Sequence, residues 1–176
     1  VMAMRLFALF FAGAACLGLP LATPQPLAAQ EVQLTPLVAG ILSPVRPVMG
    51  SDGQRHLVYE LILGNSTGGE AQLASLEVID PASGKVYLAM DKAVLDKRLS
   101  LGGRRGAESA MLGVSQFAVA FLHVPLAAAE PLPRGLSHRV TGHLAQLGRD
   151  ATMPFAPVTV ANQEPIVLGP PLAGKG

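Results

Sequence analysis

Short segments in which apolar and polar residues alternate recur along this chain, and they restrict the folds open to it more than any other feature. The clearest is 56–63, where Leu57, Tyr59, Leu61 and Leu63 fall on one face at a period of two. Such alternation is typical of a β-strand with one buried face. A run of Gly, Asn, Ser and Thr follows directly, and these residues favour a turn. The pattern predicts short antiparallel strands joined by tight turns.

The same pattern predicts strands along most of the chain. They are 71–80, 85–90, 116–126 and 136–144, with weaker strands at 155–161 and 166–168 and at least one edge strand within 32–48. Segment 91–99 differs, because Leu95 and Leu99 are four apart and Asp91 can cap a short helix. A strand is the competing interpretation there. Seven to nine strands predict an all-β fold, an antiparallel β-sandwich that is immunoglobulin-like in the broad sense.

Alternation also predicts which side chains form the core. Leu136, His138 and Val140 are expected to face inward, and Ala74 is expected on the same face as Leu76. Segment 116–126 is apolar on both faces, so we expect it to be buried on both faces, in the middle of a sheet. The predicted core comprises Tyr59, Leu61, Leu76, Val78, Phe117, Val119, Phe121, Leu122 and Val140.

The N-terminal segment has the layout of a secretory signal. Arg5 precedes an almost wholly apolar run at 6–19, and Ala28 and Ala29 offer small residues for cleavage after Ala29. That run is about 14 residues long, whereas a membrane-spanning helix needs about 20. We therefore expect an exported protein, periplasmic or extracellular, that contacts the membrane through this segment alone. The expected organisation is a signal peptide at 1–29 with a signal helix, a β-sandwich domain at 30–164 and a linker or tail at 165–176.

Two alternatives to a cleaved signal stay open. The segment can persist as an uncleaved anchor, or Cys16 can carry a lipid, since Ala14-Ala15-Cys16 resembles the end of a lipobox. Gly13 stands where that motif has an aliphatic residue. Cleavage after Ala29 would remove the one cysteine of the chain, which suits an oxidising compartment.

Composition excludes several classes of protein. Hydrophobic residues make up 50% and charged residues 14% of the chain, so it is not a charged disordered tail. The formal net charge is +1, whereas binding to a phosphate backbone needs a basic face. We therefore expect no nucleic-acid partner. One cysteine allows neither an intramolecular disulfide nor a zinc site made only of cysteines.

The histidines are the candidate metal ligands, and their spacing predicts no site. His138 and His143 are five apart in a predicted strand, which places them on opposite faces. His56 and His123 lie on other strands with no second ligand nearby in sequence. A site assembled in space from distant strands stays open. The sequence by itself predicts no catalytic residue, no metal ligand and no cofactor.

Other motifs also carry little chemistry. The methionines at 49, 90, 111 and 153 are not within two residues of a histidine, so copper binding by adjacent Met and His is not indicated. No Gly-x-Ser-x-Gly nucleophile motif occurs. The loop 102–106 lacks the Lys-Ser or Lys-Thr of a phosphate loop. At most, Arg104 and Arg105 could contact an anionic glycan or wall polymer.

Several segments together carry a resemblance to a known family. They are 43–47 (SPVRP), 50–53 (GSDG), 56–65 (HLVYELILGN), 76–80 (LEVID), 136–141 (LSHRVT) and 166–172 (IVLGPPL). Over most of 38–172 the chain resembles the β-rich N-terminal module of exported lysostaphin-type (LytM-like) zinc metallopeptidases, in which such a module precedes the peptidase domain. The zinc-binding His-x-x-x-Asp and His-x-His signatures of that family do not occur in these 176 residues. The resemblance therefore implies no catalytic residue here.

The resemblance implies a bacterial, non-catalytic exported accessory module associated with cell-wall metallopeptidases. Its expected partners are a cell-wall peptidase domain or peptidoglycan. This hypothesis predicts no zinc, no hydrolysis and a small apolar patch where the partner docks. The alternatives are an exported binder of wall glycan or copper, and a fragment of an active peptidoglycan endopeptidase. The sequence is compatible with a truncated or split parent protein, and also with a module that stands alone.

Overall fold

The computed structural model of the chain describes residues 35–163, apart from 105 and 107. The predicted signal peptide 1–29 and the predicted tail 165–176 lie outside the described residues, as does the weak strand predicted at 166–168.

Strands make up most of the described part of the chain. The elements are β1 Leu37–Ile41, β2 Pro47–Met49, β3 Arg55–Asn65, β4 Ala71–Ile79, β5 Val86–Asp91, α1 Lys92–Arg98, β6 Leu99–Leu101, β7 Met111–Leu112, β8 Phe117–Leu126, β9 Gly135–Leu144 and β10 Arg149–Thr159. A 3₁₀ turn at Ala145–Leu147 joins β9 to β10.

The strands form two sheets. In the first sheet the order is β1-β3-β8-β6, with β2 also paired to β3; in the second it is β10-β9-β4-β5, with β7 also paired to β4. All of these strand pairs are antiparallel. One apolar core contains side chains from both sheets. The prediction of an all-β antiparallel sandwich is confirmed.

The largest fully buried side chains of the core are all leucines. Along β3 the buried residues alternate, as the period of two predicts: Leu57, Tyr59, Leu61 and Leu63 face inward. The predicted core positions Tyr59, Leu61, Leu76, Val78, Leu122 and Val140 are all buried. At these six positions the alternation therefore identified the inner face correctly.

The prediction that β8 is buried on both faces is wrong. Phe117 and Phe121 are 55% and 48% exposed, and Val119 is partly buried. The buried residues of this strand are Ala118, Ala120, Leu122, Val124 and Leu126. β8 does lie between β3 and β6, but a two-layer sandwich covers only one face of each sheet. Because both faces of β8 are apolar, alternation alone could not show which one is covered.

In β4 a bulge changes which residues face inward. The pairing of β4 with β9 shifts between Leu73 and Ser75. Ala71 and Leu73 are buried before the shift, and Leu76 and Val78 after it, so the expectation that Ala74 shares their face is wrong: Ala74 is exposed. An extra residue in one strand reverses the facing of those that follow.

The alternatives for segment 91–99 are settled in favour of the helix. The Asp91 side chain accepts a hydrogen bond from the Val94 N–H at 2.9 Å, which caps the N-terminus of α1. Leu95 anchors the helix in the core, and Leu99 already belongs to β6. No helix within the described ranges is long and apolar enough to cross a membrane.

Candidate functional site

The outer face of the second sheet is polar. The Arg139 Nε donates to Glu77 Oε2 at 2.6 Å, between β9 and β4. The hydroxyls of Thr141 and Thr152 are hydrogen-bonded at 3.1 Å between β9 and β10. Cross-strand pairs of this kind are typical of a sheet face in contact with water.

The outer face of the first sheet is apolar instead. We call it the apolar face, and it consists of Val38, Val58, Ile62, Phe117, Val119 and Phe121. Four of these are about half exposed or more: Val58 at 63%, Phe117 at 55%, Val38 at 54% and Phe121 at 48%. The strand register brings them together, because Ile62 pairs with Val119 and Val38 pairs with Gly64, which itself pairs with Phe117. Glu60, opposite Phe121, places a carboxylate within this face.

Two histidines meet on this same side of the first sheet. His56 on β3 and His123 on β8 have their Nδ1 and Nε2 atoms 2.8 Å apart, and their ring centroids are 5.0 Å apart. Val58 pairs with His123 and His56 pairs with Pro125, so the two rings are diagonal neighbours on one face. Sequence reasoning missed this pair, because 67 residues separate the two.

Asp52 extends the pair to three side chains. Its Oδ1 lies 3.0 Å from His56 Nε2 and also accepts a hydrogen bond from the Gln54 N–H. The hydrogen bond from His56, with the one from Gln54, holds the pKa of the Asp52 carboxyl below its usual value. A Cβ at Gly50 would lie 2.5 Å from both Asp52 Oδ1 and His56 Nε2. The absence of a side chain at position 50 therefore leaves room for this contact.

A pocket of about 270 Å³ lies beside His123. Its walls come from β5, α1 and β8, and they include Leu88, Met90, Val94, Arg98, Phe121 and His123. The pocket adjoins the apolar face through Phe121 and the histidine pair through His123. It combines apolar walls with the Arg98 guanidinium.

A second pocket, of about 480 Å³, lies near the β4–β5 turn. Lys85 forms an ion pair with Glu130 there and lies over the Tyr87 ring, 4.8 Å from its centroid. The carboxylate of Glu130 raises the pKa of Lys85. Arg55 donates to the carbonyls of Ala128 and Glu130. These contacts hold the connection between β8 and β9 in place, which is a structural role.

His138 belongs to the core and not to a site open to solvent. It faces inward as predicted and is 1% exposed, whereas His143 is exposed, so the predicted opposite facing of these two is observed. Burial lowers the pKa of His138 to about 4. The His138 Nε2 is 2.8 Å from the Tyr59 hydroxyl, and burial raises the pKa of that hydroxyl.

In the part of the chain that the structure describes, no three His, Cys, Asp or Glu side chains are arranged to hold one metal ion. The Asp52–His56–His123 cluster is a linear chain of contacts, since Asp52 and His123 touch opposite nitrogens of His56. Arg104 is exposed in the loop after β6 and lines a groove with Ser100, and Arg105 lies outside the described residues.

Comparison with known proteins does not assign a family. No known family profile matches the sequence, and no curated protein matches it. Solved structures with some likeness include Northeast Structural Genomics Consortium target SoR45, at 10% identity and a TM-score of 0.40, covering 79% of this chain and 93% of that one. Another is a FixG-related protein from Vibrio parahaemolyticus, at 9% identity and a TM-score of 0.35, covering 72% and 98%.

A third likeness is to a family 123 glycoside hydrolase from Clostridium perfringens, at 10% identity and a TM-score of 0.33, covering 73% of this chain and 28% of that one. Likenesses at these scores carry no conclusion about function.

Proposed function

We propose that this chain is a non-catalytic exported accessory module that docks through its apolar face onto a cell-wall peptidase domain. The observation that carries the proposal is the contrast between the two outer faces: the second sheet presents ion pairs and threonines, and the first presents exposed valines and phenylalanines. A soluble chain rarely leaves a contiguous apolar face of this kind uncovered unless it is an interaction site.

The chemistry of the apolar face favours a protein partner over a glycan. Phe117 and Phe121 lie at two positions of one strand, and aromatic side chains are the usual anchors of protein interfaces. Peptidoglycan presents hydroxyls, amides and carboxylates, which need hydrogen-bond donors on the binding surface. The sequence resemblance to the module that precedes lysostaphin-type peptidase domains supports a domain of that class as the occupant.

Docking is tested by binding of the exported protein to a purified lysostaphin-type peptidase domain, measured by calorimetry. Phe121→Ser and Val58→Asp should each weaken binding roughly tenfold or more, as expected for residues at the centre of an interface. Val86→Asp is the matched control, because Val86 is also exposed but lies on the second sheet. Equal binding of the peptidase domain by all variants would contradict the proposal. Binding of the protein to purified sacculi but not to the peptidase domain would also contradict it.

Export is tested by N-terminal sequencing. The protein recovered from the periplasm or the medium should begin near Gln30, which follows the proposed cleavage after Ala29. Soluble cytosolic protein that begins at Met2 or Met4 would contradict export.

The absence of catalysis is tested with cell-wall sacculi. A hydrolytic metal site needs at least three fixed ligands and an open position for water. We expect the purified protein to release no soluble muropeptides. Bound zinc at one ion per chain together with muropeptide release would overturn the accessory role and favour an active endopeptidase.

A further inference from the structure

We propose that His56 and His123 form a binding site for Cu²⁺, with Asp52 as the positioning residue. The site lies on the same side of the first sheet as the apolar face, but the inference does not depend on docking. It rests on two successive contacts within hydrogen-bond distance. Asp52 Oδ1 lies 3.0 Å from His56 Nε2, and His56 Nδ1 lies 2.8 Å from His123 Nε2.

The contact with Asp52 decides which nitrogen of His56 can bind a metal. An ionised carboxylate only accepts hydrogen bonds, so the proton of the neutral imidazole lies on Nε2 and is donated to Asp52 Oδ1. The lone pair of His56 is then on Nδ1, directed at His123. A carboxylate that fixes the tautomer and orientation of a histidine in this way is the usual second partner of a metal-binding histidine.

A metal ion would take the place of the proton that lies between the two rings, and that proton would move to Nδ1 of His123. In the metal-free protein, His123 Nε2–H donates to His56 Nδ1. When His123 takes its other tautomer, with the proton on Nδ1, both facing nitrogens carry lone pairs. His123 is exposed, so its ring can rotate until both lone pairs point at one ion on the solvent side of the sheet.

The type of ligand favours copper over zinc. For a given set of nitrogen and oxygen ligands, Cu²⁺ binds more tightly than Zn²⁺. Cu²⁺ also prefers a square-planar arrangement, in which two imidazole nitrogens can occupy adjacent corners. Structural zinc sites, in contrast, are almost always tetrahedral with four protein ligands.

Two histidines leave the other corners of the square to water or to a ligand from a partner. This agrees with the finding that no three metal-ligating side chains converge among the described residues. A two-ligand site of this kind binds the ion without the three fixed ligands of hydrolytic zinc enzymes, so it is compatible with a non-catalytic module.

The site is tested by titrating the exported, metal-free protein with Cu²⁺ and, separately, with Zn²⁺, using calorimetry and electron paramagnetic resonance. We expect one Cu²⁺ per chain with the spectrum of a tetragonal ion bound by two imidazole nitrogens, and weaker binding of Zn²⁺. His56→Ala and His123→Ala should lose this binding, and Asp52→Asn should weaken it about 10–100-fold. Circular dichroism checks that each variant is folded.

His143→Ala is the matched control, because His143 Nδ1 contacts Asp150 Oδ1 at 2.8 Å on the second sheet and so provides a histidine–carboxylate pair without a second histidine. Its binding of Cu²⁺ should equal that of the unmodified protein. A second measurement needs no variant: adding substoichiometric Cu²⁺ should broaden the imidazole resonances of His56 and His123 before those of His143. The inference fails if Cu²⁺ does not bind, if His123→Ala binds it unchanged, or if all three histidines broaden together.

Discussion

The Tyr59 hydroxyl and the His138 Nε2 lie 2.8 Å apart between the two sheets, and both side chains are buried. Tyr59 belongs to β3 of the first sheet and His138 to β9 of the second. The contact gives each buried polar group a partner, which avoids the cost of an unsatisfied donor or acceptor. It also makes the stability of the sandwich depend on the protonation of one histidine.

The first prediction is a loss of stability in mild acid. Burial lowers the pKa of His138 from 6.5 to about 4, so the unfolded chain binds more protons than the folded chain between these values. Above about pH 6.5 His138 is neutral in both states, so its titration should not change the free energy of unfolding. Between about pH 6.5 and pH 4 the free energy of unfolding should fall, by on the order of 3 kcal/mol in total. Urea unfolding at several pH values measures this.

The control for the pH dependence removes both polar groups together. The double variant Tyr59→Phe/His138→Leu leaves no unsatisfied partner in the core and no titrating group at position 138. Its free energy of unfolding should change less between pH 6.5 and 4 than that of the unmodified protein. An identical pH profile for the two proteins would assign the acid sensitivity to other residues.

The second prediction compares two neighbouring residues of β8. Leu122 is fully buried, whereas Phe121 is 48% exposed. Leu122→Ala should lower the free energy of unfolding by about 2–5 kcal/mol, because it leaves a cavity in the core. Phe121→Ala should lower it by less than about 1 kcal/mol, as for a surface position. Chemical denaturation of both variants decides the matter, and the reverse order would place the inner face of β8 on the phenylalanine side.

The third prediction concerns a close approach of two strands. A Cβ at Gly142 would lie 2.6 Å from the carbonyl oxygen of Gln72, beside the bulge of β4. Gly142→Ala should therefore force the β4 and β9 backbones apart and cost about 1–3 kcal/mol. Gly40→Ala in β1 is the control, since a Cβ there meets nothing within 4 Å. Thermal unfolding should show a lower melting temperature for Gly142→Ala alone.

The fourth prediction tests the N-cap of α1. Asp91→Ala removes the acceptor of the Val94 N–H and should lower the free energy of unfolding by about 1 kcal/mol. Asp91→Ser keeps an oxygen acceptor at the same position and should recover most of the loss. Urea denaturation of the two variants measures the difference, and equal destabilisation by both would show that the cap hydrogen bond is not the cause.

Much of the fold could be predicted from the residues because its signal is local. In β9 the buried apolar side chains alternate with more polar ones, and in β3 Leu57, Tyr59, Leu61 and Leu63 recur at a period of two, so each strand and its buried face follow from one segment of sequence. The capping aspartate and Leu95 likewise indicated a helix where the alternation stops.

Other features depended on contacts between distant segments. The facing of β8 was decided by where the second sheet packs, since both faces of that strand are apolar. The bulge in β4 lies next to the pairing of Leu73 with Gly142 of β9, so it belongs to the register between two strands that are distant in sequence. The meeting of His56 and His123 was decided by the register between β3 and β8. The alternation in the sequence by itself determined the strands and most of the inner faces. The apolar face and the histidine pair were determined only by the tertiary structure, because sheet register and layer packing join residues that are far apart along the chain.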